Sequence, residues 1–207
     1  ADWTASGRSL KSIERFMRDK VMPLYGNTHT TTSTTGAQTT AFREEAREII
    51  AKAVNAKGGT DDDVILFTGS GTTAAIAKVI SALSLDKKQR SFSLKRGNRP
   101  VVFIGPFEHH SNILPWRESC ADVVAIAEDS AGGVDLDDLE SKLREYSGRD
   151  LKIGSFAAAS NLTGALEDTD VITEVLHRNG ALAFWDYATA APYVEIDMNP
   201  DAAMPLD

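Results

Sequence analysis

Short apolar runs alternate with amphipathic stretches along the chain from residue 63 onward. Val64–Phe67, Val101–Ile104, Val123–Ile126, Ile153–Ala159 and Ala181–Trp185 are short, mostly hydrophobic segments. Runs of that kind, rich in Val, Ile and Phe, are what strands buried on both faces require. Between them, Ala74–Leu83, Ile113–Ser119, Leu136–Tyr146 and Asp170–Asn179 read as helical. Such alternation predicts right-handed crossovers and an α/β fold, with a mostly parallel sheet covered by helices on both sides.

Upstream the pattern is helical only. Leu10, Ile13, Phe16, Met17 and Val21 share one face, and Met22-Pro23 is expected to stop the run. Phe42, Ala46, Ile49, Ile50, Ala53 and Val54 mark a second helix ending at Gly58-Gly59. Between the two, Thr28, Thr30, Thr31, Thr32, Thr34, Thr35, Thr39 and Thr40 crowd into one expected loop with Ser33 and Gly36. Such hydroxyls either satisfy their own backbone in a surface loop or wall a pocket. The organisation expected is an N-terminal helical part with its loop over residues 1–60 and a sheet domain over 61–207.

Composition narrows the function classes. The 207 residues are 42% hydrophobic and 25% charged, as in ordinary soluble folded chains. No apolar stretch reaches the roughly 20 residues of a membrane helix, and the opening Ala1-Asp2-Trp3-Thr4 lacks a secretory signal pattern. A net charge of −8 argues against nucleic acid. The expectation is a cytoplasmic protein with neither membrane nor nucleic-acid partner. The single cysteine, Cys120, excludes an internal disulfide and a thiolate zinc cage. No histidine pair has zinc spacing, so no metal is expected. The acidic clumps Asp61-Asp62-Asp63 and Asp135, Asp137, Asp138, Glu140 sit where turns and helix starts are expected.

In open α/β sheets ligands bind beyond the carboxyl ends of the strands, so the residues after each strand carry the chemistry. Thr68-Gly69-Ser70-Gly71-Thr72-Thr73 follows the first strand and runs into a helix, where glycines and first-turn amides suit an anion. It is neither a nucleotide P-loop nor a complete dinucleotide fingerprint. Gly105-Pro106-Phe107-Glu108-His109-His110-Ser111-Asn112 brings imidazoles after the second strand, and Ser160-Asn161 brings a carboxamide after the fourth. Asp186 ends the last apolar strand, where an isolated carboxylate is costly unless it meets a cation. A cofactor with a phosphate, an aromatic ring, a phenolic oxygen and a basic ring nitrogen would use all four groups. Pyridoxal 5'-phosphate has that inventory.

Five segments, in order, carry a resemblance: Tyr25-Gly26-Asn27-Thr28-His29, Gly71-Thr72-Thr73, Glu108-His109-His110-Ser111-Asn112-Ile113-Leu114-Pro115-Trp116, Ser160-Asn161-Leu162-Thr163-Gly164 and Trp185-Asp186-Tyr187-Ala188. Together they resemble the class V aminotransferase family of fold-type I pyridoxal-phosphate enzymes, and within it the cysteine desulfurase and selenocysteine lyase branch. The resemblance implies the three-layer αβα large domain of that fold, with a mixed, mostly parallel sheet. It implies that Gly71, Thr72 and Thr73 hold the phosphate and that His109 stacks on the ring. Asn161 would approach the ring oxygen and Asp186 the pyridine nitrogen, with Asn27 and His29 near the substrate entrance. Thr189 falls where desulfurases carry a glutamine. The implied substrate is a small amino acid and the implied assembly a homodimer.

The resemblance also implies a Schiff-base lysine downstream of the aspartate, whereas every lysine of this chain precedes Asn161. The chain is therefore expected to be an amino-terminal fragment without the lysine and the small C-terminal domain, and to be inactive by itself. Cys120 is expected to be a structural thiol. Two other readings remain open at this level. One is a hydrolase using Ser70, His109 or His110, and Asp186, although their order departs from the familiar hydrolase order. The other is a non-enzymatic Rossmann-like binding domain.

Overall fold

The computed structural model describes residues 7–57, 63–86 and 98–200. The expected helix stop at Gly58-Gly59 and the acidic pair Asp61-Asp62 lie outside them. Four strands form one sheet: β1 (Val101–Ile104), β2 (Asp122–Ala125), β3 (Lys152–Ala157) and β4 (Leu182–Asp186). Their order is β2-β1-β3-β4 and every pair is parallel, so the sheet described is parallel throughout. The helices are α1 (Lys11–Phe16), α2 (Thr34–Ala53), α3 (Gly71–Ala82), α4 (His110–Glu118), α5 (Leu136–Glu145) and α6 (Thr169–Arg178).

Alternation along the strands explains the layering. Val101 and Phe103 of β1 turn to one face, where they pack with Leu139 and Leu143 of α5 and Ile172, Val175 and Leu176 of α6. Val102 and Ile104 turn to the other, against Ile76 and Ile80 of α3 and Trp116 of α4. With both faces covered, β1 is buried at all four positions, as its unbroken Val-Val-Phe-Ile run requires. Gly154 of β3 sits where a Cβ would lie 2.7 Å from Leu176 Cδ2 and 2.9 Å from Phe156 Cε2, so glycine sets how closely α6 approaches the sheet. At the amino ends of the strands, Asp122 accepts from both Arg99 and Arg149 at 3.0 Å.

Helix starts follow capping chemistry. Asp135 accepts from the N–H of Asp138 at 3.0 Å and opens α5, and Asp168 accepts from Val171 at 3.1 Å and opens α6. The acidic clump at 135–140 is thus a helix start, as expected.

Three expectations are corrected. Val64–Phe67 is not a strand: it has no regular secondary structure and joins no ladder among the described residues, with Val64, Leu66 and Phe67 at 69%, 60% and 52% exposure. Its apolar pattern reports a capacity for burial, whereas a strand also needs a neighbouring edge for its backbone groups. The threonine-rich segment is only partly a loop, because α2 begins at Thr34, eight residues before the expected apolar face. Ser33 caps it by accepting from Gly36 N–H at 3.1 Å. Thr39 Oγ1 donates back to Thr35 O at 3.0 Å, and Thr40 Oγ1 donates to Thr28 O at 2.9 Å, so the hydroxyls are satisfied within and beside the helix. Finally, Met22-Pro23 does not stop the first helix. The chain passes through a π turn (Met17–Val21) into a 3₁₀ turn (Met22–Leu24), whose opening position tolerates a proline without an N–H. The α1 and α2 faces meet through Phe16 and Phe42, stacked at 6.4 Å, yet Leu10, Ile13 and Ile49 stay exposed.

Candidate functional site

Because all four strands run the same way, β1, β3 and β4 finish at one side of the sheet. The N-termini of α3 and α4 come to that side as well. They enclose a cavity of about 850 Å³ lined by Ser70, Gly71, Thr72, Thr73, His109, Ser111, Asn161, Asp186 and Thr189, with Phe107, Pro192 and Tyr193 among the apolar wall. That volume suits a small-molecule ligand.

The approach to α3 is set by two left-handed residues, Ser70 at φ 60° and Gly71 at φ 64°. The turn leads directly into a helix whose first amides have no acceptor within it. α2, α4, α5 and α6 are each closed by a side chain, from Ser33, His109, Asp135 and Asp168, whereas Ser70 makes no capping bond to α3. The N-terminus at Gly71–Thr73 thus has no side-chain cap, and its amides, with the positive end of the helix dipole behind them, have the chemistry that suits an anion.

Asp186 closes β4 facing this turn. Its Oδ1 accepts from Thr72 Oγ1 at 3.3 Å and from the N–H of Ala188 at 2.9 Å. No cation pairs with it among the described residues. The carboxylate and the glycine–threonine turn, separated by more than a hundred positions in sequence, share one wall. On the α4 side, Thr73 Oγ1 donates to Ser111 Oγ at 2.9 Å. His109 Nδ1 accepts from the N–H of Ser111 at 3.1 Å. An accepting Nδ1 puts the neutral ring's proton on Nε2. His109 thus both caps α4 and lines the cavity.

Asn161 and Thr189 line the cavity from the turns after β3 and β4. Asn27 and His29 are exposed and do not belong to the lining; they form a local turn in which Asn27 Oδ1 accepts from His29 N–H at 3.4 Å. Ser70, His109 and Asp186 share the cavity, but the hydrogen bonds of His109 go to Ser111 and those of Asp186 to Thr72 and Ala188. Among the described residues no relay joins the three as a hydrolase would need. No cluster of His, Cys, Asp and Glu suited to a metal occurs among the described residues, and no described helix is long and apolar enough to cross a membrane.

Glu108 and Asn112 are not among the site residues expected from the sequence, although both fall in the motif that carries the resemblance. Glu108 Oε1 accepts from Ala157 N–H at 2.8 Å and Gly105 N–H at 3.2 Å, and Oε2 accepts from Asn112 Nδ2 at 2.7 Å. Burial is the largest influence on this carboxyl and pushes it up to about 7 against the pull of those three donors, with nearby Asp186 adding slightly. The available signal was a glutamate four residues before an asparagine at a helix start, just after a strand-ending glycine.

Comparison with known proteins places this geometry. The family model for aminotransferase class-V matches residues 2–201. A probable cysteine desulfurase of Halalkalibacterium halodurans is 30% identical over 176 residues, covering 83% of this chain and 39% of that protein. One from Pyrococcus abyssi is 26% identical over 201 residues, covering 95% and 45%. The solved cysteine desulfurase of Thermococcus onnurineus superposes with a TM-score of 0.74 at 24% identity, covering 95% of this chain and 46% of that one, and so shares the fold. The chain spans less than half the length of these relatives.

Proposed function

This chain belongs to the aminotransferase class-V family, and from that premise we propose that the protein is a pyridoxal 5'-phosphate-dependent enzyme acting on a small amino acid. One observation carries the reading. A carboxylate with no cation partner among the described residues, Asp186, and a helix N-terminus without a side-chain cap, at Gly71–Thr73, lie on the same cavity wall within hydrogen-bond reach of each other. An anion and a protonated heteroaromatic nitrogen on one ligand would satisfy both.

In this reading the amides and hydroxyls of Gly71, Thr72 and Thr73 bind the phosphate. Asp186 holds a proton at the ring nitrogen, and the His109 imidazole covers a ring face. Asn161 and Thr189 supply polar groups for the ring oxygen. Bound there, the cofactor supplies an electron-withdrawing ring for charge developing at the substrate α-carbon. The relatives named as cysteine desulfurases support a sulfur-containing amino acid as substrate. The exposed Leu162 and Tyr193, 87% and 86% open to solvent beside the cavity, support an assembly of two copies. We read the protein as cytoplasmic, consistent with a single cysteine.

No lysine lines the cavity among the described residues, so binding to this chain should be non-covalent. The test uses 4-deoxypyridoxine 5'-phosphate, which keeps the ring, phenol and phosphate but cannot condense with surface lysines. Saturable quenching of tryptophan fluorescence, competition by inorganic phosphate and at least tenfold weaker binding by Asp186→Ala are expected. Equal binding by the variant, or no saturable binding by the native chain, overturns the reading.

A further inference from the structure

Of the groups beside the cavity, Glu108 is bonded to the ends of β1 and β3 and to the first turn of α4. Its carboxylate accepts the N–H of Gly105, which follows β1, and that of Ala157, the last residue of β3. Ala157 pairs in register with Asp186, and the next residue, Ala158, donates its N–H to Asp186 O at 3.0 Å. The third donor, Asn112, lies in the first turn of α4, directly after the His109 cap.

The direction of each bond is fixed by what lies behind it. Asn112 is fully buried, and its Nδ2 also donates to Ser155 O at 3.2 Å. Its Oδ1 accepts from Ser155 Oγ at 2.7 Å, while Ser155 Oγ accepts from Trp116 Nε1 at 3.0 Å. Turning the carboxamide over would set its oxygen against Ser155 O. Asn112 can therefore only donate to Glu108, and the Glu108 atom facing it must accept. Gly105 shows the same constraint from β1, because a Cβ there would lie 2.8 Å from Glu108 Oε1.

We propose that Glu108 is a positioning residue: its carboxylate clasps the ends of β1 and β3 to the first turn of α4 and so holds His109 and Asp186 in a fixed relation across the cavity. The consequence for a cofactor rests on the function proposed above; the clasp itself does not.

Three donors and no cation converge on this group. The charged or titratable groups of the surrounding elements are few. β1 has none, and β3 has Lys152 at its opposite end. α4 has His110 at its start and Arg117 and Glu118 in its last turn, and β4 has Asp186. With the carboxyl pushed up to about 7, the clasp changes charge across the neutral range. Protonation gives Oε1 or Oε2 a hydrogen where only donors face it, which loosens the bonds to Gly105, Ala157 or Asn112.

Backbone amides report this in the unliganded ¹⁵N-labelled chain. The amides of Gly105 and Ala157 touch Glu108 directly. Ser111 N–H reports His109 and Ala188 N–H reports Asp186, since each donates to that side chain. Between pH 5 and 9 all four should shift with one shared midpoint near neutrality. In Glu108→Gln that shared component should vanish from Ser111 and Ala188 alike. Gly105→Ala keeps the glutamate but displaces its carboxylate, and should move the shared midpoint. If the Ser111 and Ala188 amides keep the same shared midpoint, unmoved, in both variants, Glu108 does not position His109 or Asp186 and the proposal fails. Should 4-deoxypyridoxine 5'-phosphate fail to bind while the four amides titrate together, the cofactor reading falls and the clasp stands.

Discussion

Removing the Asn112 carboxamide tests the buried polar chain and its charge at once. Asn112→Ala leaves Glu108 Oε2 without its 2.7 Å donor and the Ser155 hydroxyl without its 2.7 Å acceptor. A hydrogen bond to a charged group contributes about 1.5–3 kcal/mol, and a stranded buried hydroxyl costs about 1–3 kcal/mol, so a loss of roughly 2.5–6 kcal/mol is expected when Glu108 is ionised. That is a large part of the ~5–15 kcal/mol stability of a typical domain.

The loss should depend on pH with a definite sign. The Glu108 carboxyl titrates at about 7 in the fold against 4.5 for the free group. Between those values the folded chain holds a proton that the unfolded chain has released. Stability from this group is complete below about pH 4.5 and falls as pH rises to about 7, by roughly 3 kcal/mol at ~1.4 kcal/mol per unit. The Asn112 bond opposes that rise, so its removal pushes the carboxyl higher and extends the fall above neutrality. Urea unfolding followed by circular dichroism at pH 5.5 and 8.5 reads both effects. The variant should lose at least 1 kcal/mol more at pH 8.5 than at pH 5.5. Equal losses at the two pH values, or a loss under about 1 kcal/mol at pH 8.5, would refute the idea that a buried carboxylate depends on this donor.

Three further outcomes are expected. Gly154→Ala should lower stability by about 1–3 kcal/mol through overpacking against Leu176 and Phe156, seen as a lower urea midpoint with an unchanged slope. Arg149→Ala removes a partner of Asp122, a bond to Arg99 O and a cation over the Tyr146 ring at 5.4 Å, and should cost about 1–3 kcal/mol in the same assay. A loss under about 0.5 kcal/mol would show the contact to be no better than an exposed ion pair. Cys120, buried beside Ala121 and Leu85, should react with a thiol reagent only as fast as the chain unfolds; rapid labelling in the native state would contradict its packing.

The elements that could be read in advance share a physical property: their signals are local. β1 is a four-residue apolar run with one possible fate once both sheet faces are covered. The ends of α5 and α6 fell within one residue of expectation because periodicity and a capping aspartate coincide at each start. Val64–Phe67 misled because pairing is a property of two segments, and the pattern describes one. The threonine segment misled because β-branched threonine loses χ1 freedom in a helix and so reads as a weak helix former. Here Ser33 caps the helix and the Thr40 hydroxyl bonds to Thr28 O outside it, contacts that the residue types alone do not display.

The site divides along the same line. Asp186 was legible because a charge that ends an apolar strand contradicts its surroundings, and the parallel topology then placed it beside Thr72. Glu108 was not, since two of its three partners are backbone N–H groups, one of them 49 positions away, and backbone donors leave no trace in residue type. The wrong strand at Val64–Phe67 did no harm to the placement of Gly71–Thr73, and the reason is instructive. α3 is located by Ile76 and Ile80 packing onto Val102, Ile104 and Trp116, so its N-terminus is carried to the cavity by helix-on-sheet contacts with no ladder from the preceding segment. The Gly71–Thr73 turn is therefore fixed from behind, by apolar side chains one and two turns down the helix, while the carboxylate facing it is fixed by strand register. Two unrelated forces set the two halves of the site, and Glu108, bonded to Ala157 and to the first turn of α4, is where the strand ends are tied to the helix layer.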